Sequence, residues 1–127
     1  MYSYKDKNIL VVDDYKDNLD LIQCIFEALG CNVRTACSAT IGLIEVKKAR
    51  PDLIILDLMM PDISGIDFIN CLKNDGLLDI PVLLLTANHN VVREDVKDAD
   101  SICYKPIDVA NIVEEAGKLL LGSDRLK

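Results

Sequence analysis

Three stretches of this chain are apolar at every position: Ile9-Leu10-Val11-Val12, Leu53-Ile54-Ile55-Leu56 and Val82-Leu83-Leu84-Leu85. A run without alternation has no polar face to offer water, so it fits a strand covered on both sides. That pattern belongs to parallel sheets with helices on both faces. Two weaker runs, Val33 to Ala36 and Ile102-Cys103-Tyr104, complete a set of five. The Val33–Ala36 run is the more polar, which suits an edge strand.

Helical patterns fill the intervals. Leu19, Ile22, Phe26 and Leu29 fall at i, i+3, i+7 and i+10 and form one stripe. Gly30 supplies a C-terminal stop. Ser38 is placed to cap a second helix that runs to about Ala49 and ends at Arg50-Pro51. Ser64 is placed to cap a third, with Ile66, Ile69 and Leu72 inward, and a short fourth is expected from about Val91 to Lys97. Asp108 is placed to cap the last, whose buried stripe is Val109, Ile112, Val113, Ala116 and Leu120. Five strand–helix alternations predict one doubly wound α/β sheet, with right-handed crossovers placing helices on both faces.

The length of 127 residues suits one domain, and with half the residues hydrophobic a sizeable core can form. The expected core spans about residues 8 to 121, with 122–127 as a loose tail. No linker, repeat or low-complexity segment interrupts it. Acidic residues outnumber basic ones 21 to 14, for a net charge of −7, which argues against direct binding to a nucleic-acid backbone. No apolar run approaches bilayer length, and no apolar h-region follows the first residues. Five cysteines (Cys24, Cys31, Cys37, Cys71, Cys103), no C-x-x-C and a single histidine give little support to a zinc site. Reduced thiols used as small hydrophobes suit a cytoplasmic protein, and no intrachain disulfide is expected.

In a doubly wound sheet, ligands bind beyond the carboxyl ends of the strands. The first strand ends in Asp13-Asp14, the third in Asp57, the fourth in Thr86 and the fifth in Lys105. Taken singly, each has an ordinary reading as a turn residue, a strand terminus or a surface lysine. Together they bring three carboxylates, a hydroxyl and an ammonium to one rim. Clustered carboxylates repel, and a hard divalent cation relieves that repulsion. A carboxylate nucleophile beside a metal and a lysine is the equipment of phosphoryl transfer.

At this point the chain resembles a known family. Ile9-Leu10-Val11-Val12-Asp13-Asp14, Asp57-Leu58-Met59-Met60-Pro61-Asp62-Ile63-Ser64-Gly65, Pro81 to Ala87 and Lys105-Pro106 together resemble response-regulator receivers of two-component signalling, in order and over about residues 8 to 121. The resemblance is to single-domain, chemotaxis-type members. It implies a flavodoxin-like (βα)5 fold with strand order 2-1-3-4-5. It also implies Asp57 as phosphoryl acceptor, and Mg2+ held by Asp14, Asp57 and the backbone carbonyl of Met59, with Asp13 acting mainly through water. Thr86 and Lys105 would contact the phosphoryl group, and Lys105-Pro106 resembles the family's cis peptide. The implied partners are a histidine kinase or phosphotransfer protein and a downstream protein target.

Several positions depart from the pattern. The family often has an aromatic residue three positions before the lysine, where this chain has Ile102; Tyr104, two residues on, should share its strand face. Thr86 and Lys105 are 19 residues apart, about one helical turn short of expectation, which places the deletion in the fourth helix or its exit. The resemblance implies that the side chains two positions after the acceptor and two after the threonine border the approach of water; here Met59 can shield the phosphoryl group without orienting water and Asn88 is no strong base, so slow self-dephosphorylation is expected. Two other classes compete. An aspartyl-phosphate phosphohydrolase would share Asp57, Mg2+ and Lys105 but usually carries a second acid–base carboxylate near the nucleophile, and position 59 is Met. A flavin-binding module would need a Ser/Thr/Gly-rich phosphate loop after the first strand, where Asp13-Asp14-Tyr15 stands instead. These 127 residues carry no effector segment after the receiver, so the chain is expected to be either a free-standing receiver or a piece of a longer regulator.

Overall fold

The computed structural model describes residues 4–77, 79–91 and 93–125. Five strands form one parallel sheet: β1 (Asn8–Val12), β2 (Asn32–Ala36), β3 (Leu53–Asp57), β4 (Val82–Thr86) and β5 (Ser101–Tyr104). Their order is β2-β1-β3-β4-β5, as the resemblance implies. The register pairs Val12 with Ala36 and Leu56, Leu56 with Leu84, and Leu84 with Ile102. All five positions of β3 and all five of β4 are buried, whereas β2, with Arg34 and Thr35, lies at an edge.

The helices are α1 (Lys16–Ala28), α2 (Ala39–Lys48), α3 (Gly65–Asn74) and α4 (Val109–Arg125). They divide between the faces as the strand alternation dictates. Leu10, Val12, Ile54, Leu56, Val82 and Leu84 pack with Ala39 and Val46 of α2 and with Phe68, Ile69 and Leu72 of α3. Ile9, Val11, Leu53, Ile55, Leu83 and Leu85 pack with Leu19, Ile22 and Phe26 of α1 and with Ile112 and Ala116 of α4. Fully burying a side chain of this size contributes about 1.5–3 kcal/mol.

The expected caps form. Ser38 Oγ accepts the Ile41 N–H at 3.2 Å, Ser64 Oγ accepts the Asp67 N–H at 3.1 Å, and Asp108 Oδ1 accepts the Asn111 N–H at 3.0 Å. Gly30 has φ +97°, beyond the end of α1, a conformation that side chains rarely adopt. The C-terminal end of α2 is closed from the sheet edge: the Arg34 guanidinium donates to the carbonyls of Glu45 and Ala49 and pairs with Glu45 Oε1 at 3.1 Å. It thereby gives the Ala49 carbonyl a partner and adds a second donor at Glu45 O, which already accepts the Ala49 N–H. Cys24, Cys31, Cys37, Cys71 and Cys103 are all unpaired thiols, and burial pushes Cys31 and Cys103 up to about 11. No helix among the described residues is long and apolar enough to cross a membrane.

The structure corrects four expectations. The fourth crossover is no α-helix but a short 3-10 turn, Arg93–Val96, so the (βα)5 pattern has four α-helices; residue 92 of the expected segment lies outside the described residues. Ile66 is 39 % exposed rather than inward, because the shortened crossover leaves that flank of α3 as an open cleft lined by Ile66, Ile69, Asn70 and Val96. Leu29 and Val109 are also exposed, since each stands at a helix end where the sheet no longer lies beneath it. Finally, α4 runs past Gly122 to Arg125, where a loose tail was expected; residues 126 and 127 lie outside the described residues.

Candidate functional site

The rim at the carboxyl ends of β1, β3, β4 and β5 is built by ladder bonds that continue beyond the strands. Asp13 N–H donates to Ala36 O at 3.1 Å, Leu58 N–H to Leu85 O at 2.8 Å, and Lys105 N–H to Thr86 O at 2.8 Å. The segment after β3 closes on itself where Gly65 N–H donates to Leu58 O at 2.7 Å. The Lys105–Pro106 peptide is cis.

Asp13, Asp57 and Thr86 are the buried polar side chains of the described chain. Asp13, Asp14 and Asp57 each offer a carboxylate oxygen, and these lie within 4.8 Å of one another; Asp14 is exposed. Lys105 Nζ stands 3.3 Å from Asp13 Oδ2 and 3.3 Å from Asp57 Oδ2. Burial, and then the charge of Asp13, push the Asp57 carboxyl up to about 6, against the opposing pull of Lys105 and of the Met59 N–H, which donates to Asp57 Oδ1 at 3.2 Å. Three carboxylates facing one ammonium leave the rim with excess negative charge. Hard oxygen donors in that arrangement fit a divalent cation that keeps several of its waters.

Other partners orient the set. Asp13 Oδ1 accepts the Tyr15 N–H at 2.9 Å at the start of α1, and Asp13 Oδ2 accepts from Asn18 Nδ2 at 3.1 Å. Thr86 Oγ1 accepts the Asn88 N–H at 3.0 Å. Asp62, in the segment that follows Asp57, accepts N–H donations from Ala39 and Thr40 and the Thr40 hydroxyl at 3.4, 3.0 and 3.0 Å. Those bonds, the Thr40 N–H first, hold its carboxyl down at about 2.

A profile of the family described as the response regulator receiver domain matches residues 9–116. The chain belongs to that family. This receiver is 35% identical over 116 residues to response regulator SaeR of Staphylococcus epidermidis, covering 89% of this chain and 50% of that one. It is 34% identical to the DNA-binding dual master transcriptional regulator RpaA of Synechocystis, covering 93% and 51%. Among solved structures, a response regulator receiver domain protein from Clostridium thermocellum superposes with a TM-score of 0.83 at 26% identity, covering 95% of this chain and 99% of that one. The receiver spans about half the length of the curated relatives it matches.

Of the residues singled out in the sequence, Asp13, Asp14, Asp57, Thr86 and Lys105 meet at one rim of the receiver. Met59 and Asn88 flank it. Met59 is 68 % exposed, and Asn88 is exposed with its Oδ1 accepting the Asn90 N–H at 2.9 Å. Ile102 is half-buried and packs on the cluster that contains Leu84. Tyr104 is exposed and stacks on His89. Sequence reasoning missed Asn18, Asp62 and His89. Asn18, in the first turn of the helix behind Asp13-Asp14, had the one local signal: an amide spaced to reach back to a carboxylate at the helix start.

Proposed function

We propose that the receiver accepts a phosphoryl group on Asp57, from a histidine kinase or a histidine phosphotransfer protein, and that the new charge switches a surface read by a downstream protein. The observation that carries this is the placement of Lys105 Nζ 3.3 Å from both Asp13 and Asp57 while Asp14 completes a carboxylate trio. Asp13, Asp14, Asp57 and the Met59 carbonyl would hold Mg2+. When bound, the cation neutralises the carboxylates and screens the charge of an incoming phosphoryl group.

The chain's own residues do the rest. The Asp57 carboxylate forms a bond to phosphorus as the bond to the donor's leaving group breaks, giving an acyl phosphate. Lys105 transfers its pairing from the free carboxylate to a phosphoryl oxygen. The Thr86 hydroxyl, already accepting the Asn88 N–H, keeps its own proton to donate to another phosphoryl oxygen. Position 59 carries Met rather than an acid–base carboxylate, which supports a slowly reset switch over a turnover phosphohydrolase.

The test is intact-mass labelling with Mg2+ and a small acyl phosphate. One phosphoryl group should attach to the wild type and none to Asp57→Asn. Labelling of Asp57→Asn at the wild-type level would remove the assignment.

A further inference from the structure

The segment after β4 is tied to the end of β5 by contacts that acceptor chemistry alone does not require. Asn88 donates to Thr86 Oγ1, Asn90 donates to Asn88 Oδ1, and the Val91 N–H donates to Asn88 O at 3.4 Å. Val91 O then accepts the Tyr104 hydroxyl at 3.2 Å. The Tyr104 ring stacks on His89, with centroids 5.0 Å apart and planes 17° from parallel. His89 Nε2 lies 3.2 Å from the Lys105 carbonyl, and because a carbonyl only accepts, that nitrogen carries the proton. Tyr104 is the register partner of Thr86, so the two project to the same face of the sheet.

We propose that His89 and Tyr104 are positioning residues for phosphoryl acceptance: they fasten the Thr86–Val91 segment to β5 and so fix the Thr86 hydroxyl and the Lys105 ammonium against Asp57. This rests on the reading of Asp57 as the acceptor.

Both ends of the tie bear on the rim. At one end, the bond from Asn88 N–H to Thr86 Oγ1 occupies an acceptor lone pair and directs the hydroxyl proton elsewhere. At the other, both peptide groups flanking the Lys105 α-carbon are held by the β4 side. The Lys105 N–H donates to Thr86 O and the Lys105 carbonyl accepts from His89. The lysine side chain therefore leaves from a backbone pinned on both sides.

Apart from Val91, which packs on the α3-face apolar cluster at its far end, the segment has little else to hold it. Asn88, His89 and Asn90 are exposed, and the crossover beyond them has only a 3-10 turn. An exposed segment with few apolar contacts samples many conformations unless polar ties restrict it.

The experiment compares His89→Ala, Tyr104→Phe, Tyr104→Ala and the double alanine variant with wild type, using Asp57→Asn as control. Two readouts are taken: the rate of Mg2+-dependent labelling by a small acyl phosphate, and amide hydrogen exchange without any phosphodonor. Each alanine variant should label about 3- to 10-fold more slowly, the range that one net hydrogen bond commands. The double variant should fall no further than the slower single one, because both residues serve one tie. Tyr104→Phe, which keeps the stack and loses the hydroxyl, should lie in between. Exchange should quicken at Asn88, Asn90 and Val91 while β1 and β3 stay protected.

Wild-type rates in the double variant, with Asp57→Asn unlabelled, would overturn the positioning roles and leave the acceptor reading standing. Additive losses with faster exchange throughout the sheet would also overturn them, marking both residues as general packing. Labelling of Asp57→Asn would overturn the acceptor reading and the positioning roles with it.

Discussion

Gly65→Ala tests how the segment behind the acceptor is held. Gly65 is the first residue of α3, and its N–H donates to Leu58 O. A Cβ at this position would stand 2.8 Å from Leu58 Cα, 3.0 Å from Asp57 O and 3.3 Å from Leu58 O. Carbon contacts are favourable only near 3.5–4.0 Å, about an ångström further out. All three opposing atoms are backbone, so no side chain can rotate away. Overpacking of this kind costs about 1–3 kcal/mol. The helical preference of Ala over Gly returns at most about 1 kcal/mol, and less in a first turn. A net loss of about 1–2 kcal/mol lowers Tm by roughly 4–8 °C in a chain of this size. The movement that relieves the clash shifts Asp57 itself, so labelling should also slow, on the order of tenfold or more. Thermal unfolding and intact-mass labelling measure the two effects. Gly42→Ala is the comparison: its Cβ would meet Val12 Cγ2 at 2.9 Å and Phe68 Cε2 at 3.0 Å, which are side-chain atoms and not the backbone of the acceptor segment. It should lose stability without losing labelling once refolded. A Gly65→Ala protein with wild-type Tm and labelling would refute the reasoning.

Asp14→Ala should weaken Mg2+ binding roughly tenfold or more, since it removes one of few carboxylate donors; an unchanged Mg2+ titration would place the ligands elsewhere. Asp62→Ala should cost about 1 kcal/mol at neutral pH as a lost helix cap, a modest figure because the group is exposed. The Asp62 carboxyl is held at about 2 against an ordinary 3.8, so its contribution is full above pH 3.8 and fades as pH falls toward 2. The gap between wild type and variant in denaturant unfolding should therefore close over that interval, and a constant gap would refute the capping role. Met59→Asn should quicken loss of the phosphoryl group after the donor is removed, because an amide can orient water where a thioether cannot; an unchanged or slower decay would count against any shielding by Met59.

The legible parts of this molecule are those written in local physics. Unbroken apolar runs announced the covered strands, and Ser38, Ser64 and Asp108 announced their helices because a cap and its N–H lie three residues apart. The contact between Lys105 and Asp13, 92 residues apart, was legible only through the rule that ligands gather at the carboxyl ends of such strands. What escaped was tertiary choice among equivalent groups. Nothing local directs Asp62 to the start of α2 rather than to solvent, or His89 onto Tyr104 rather than any other ring. The apolar stripes were over-read at helix ends, where Leu29 and Val109 keep the period but no longer overlie the sheet. Ile66 was over-read because the missing fourth helix would have been its cover.

The link from β4 to β5 consists of residues 87–100. A parallel crossover needs about a dozen residues or more, so this one stands near the minimum length. Its tolerance to change is therefore lopsided. Adding a turn's worth of residues raises the closure entropy by only about 0.2 kcal/mol, from the logarithmic dependence on length. Removing as many would leave β5 unable to reach its neighbour in register. Variation at this crossover has room in one direction only: it can lengthen toward a full helix, and it has almost nothing left to lose.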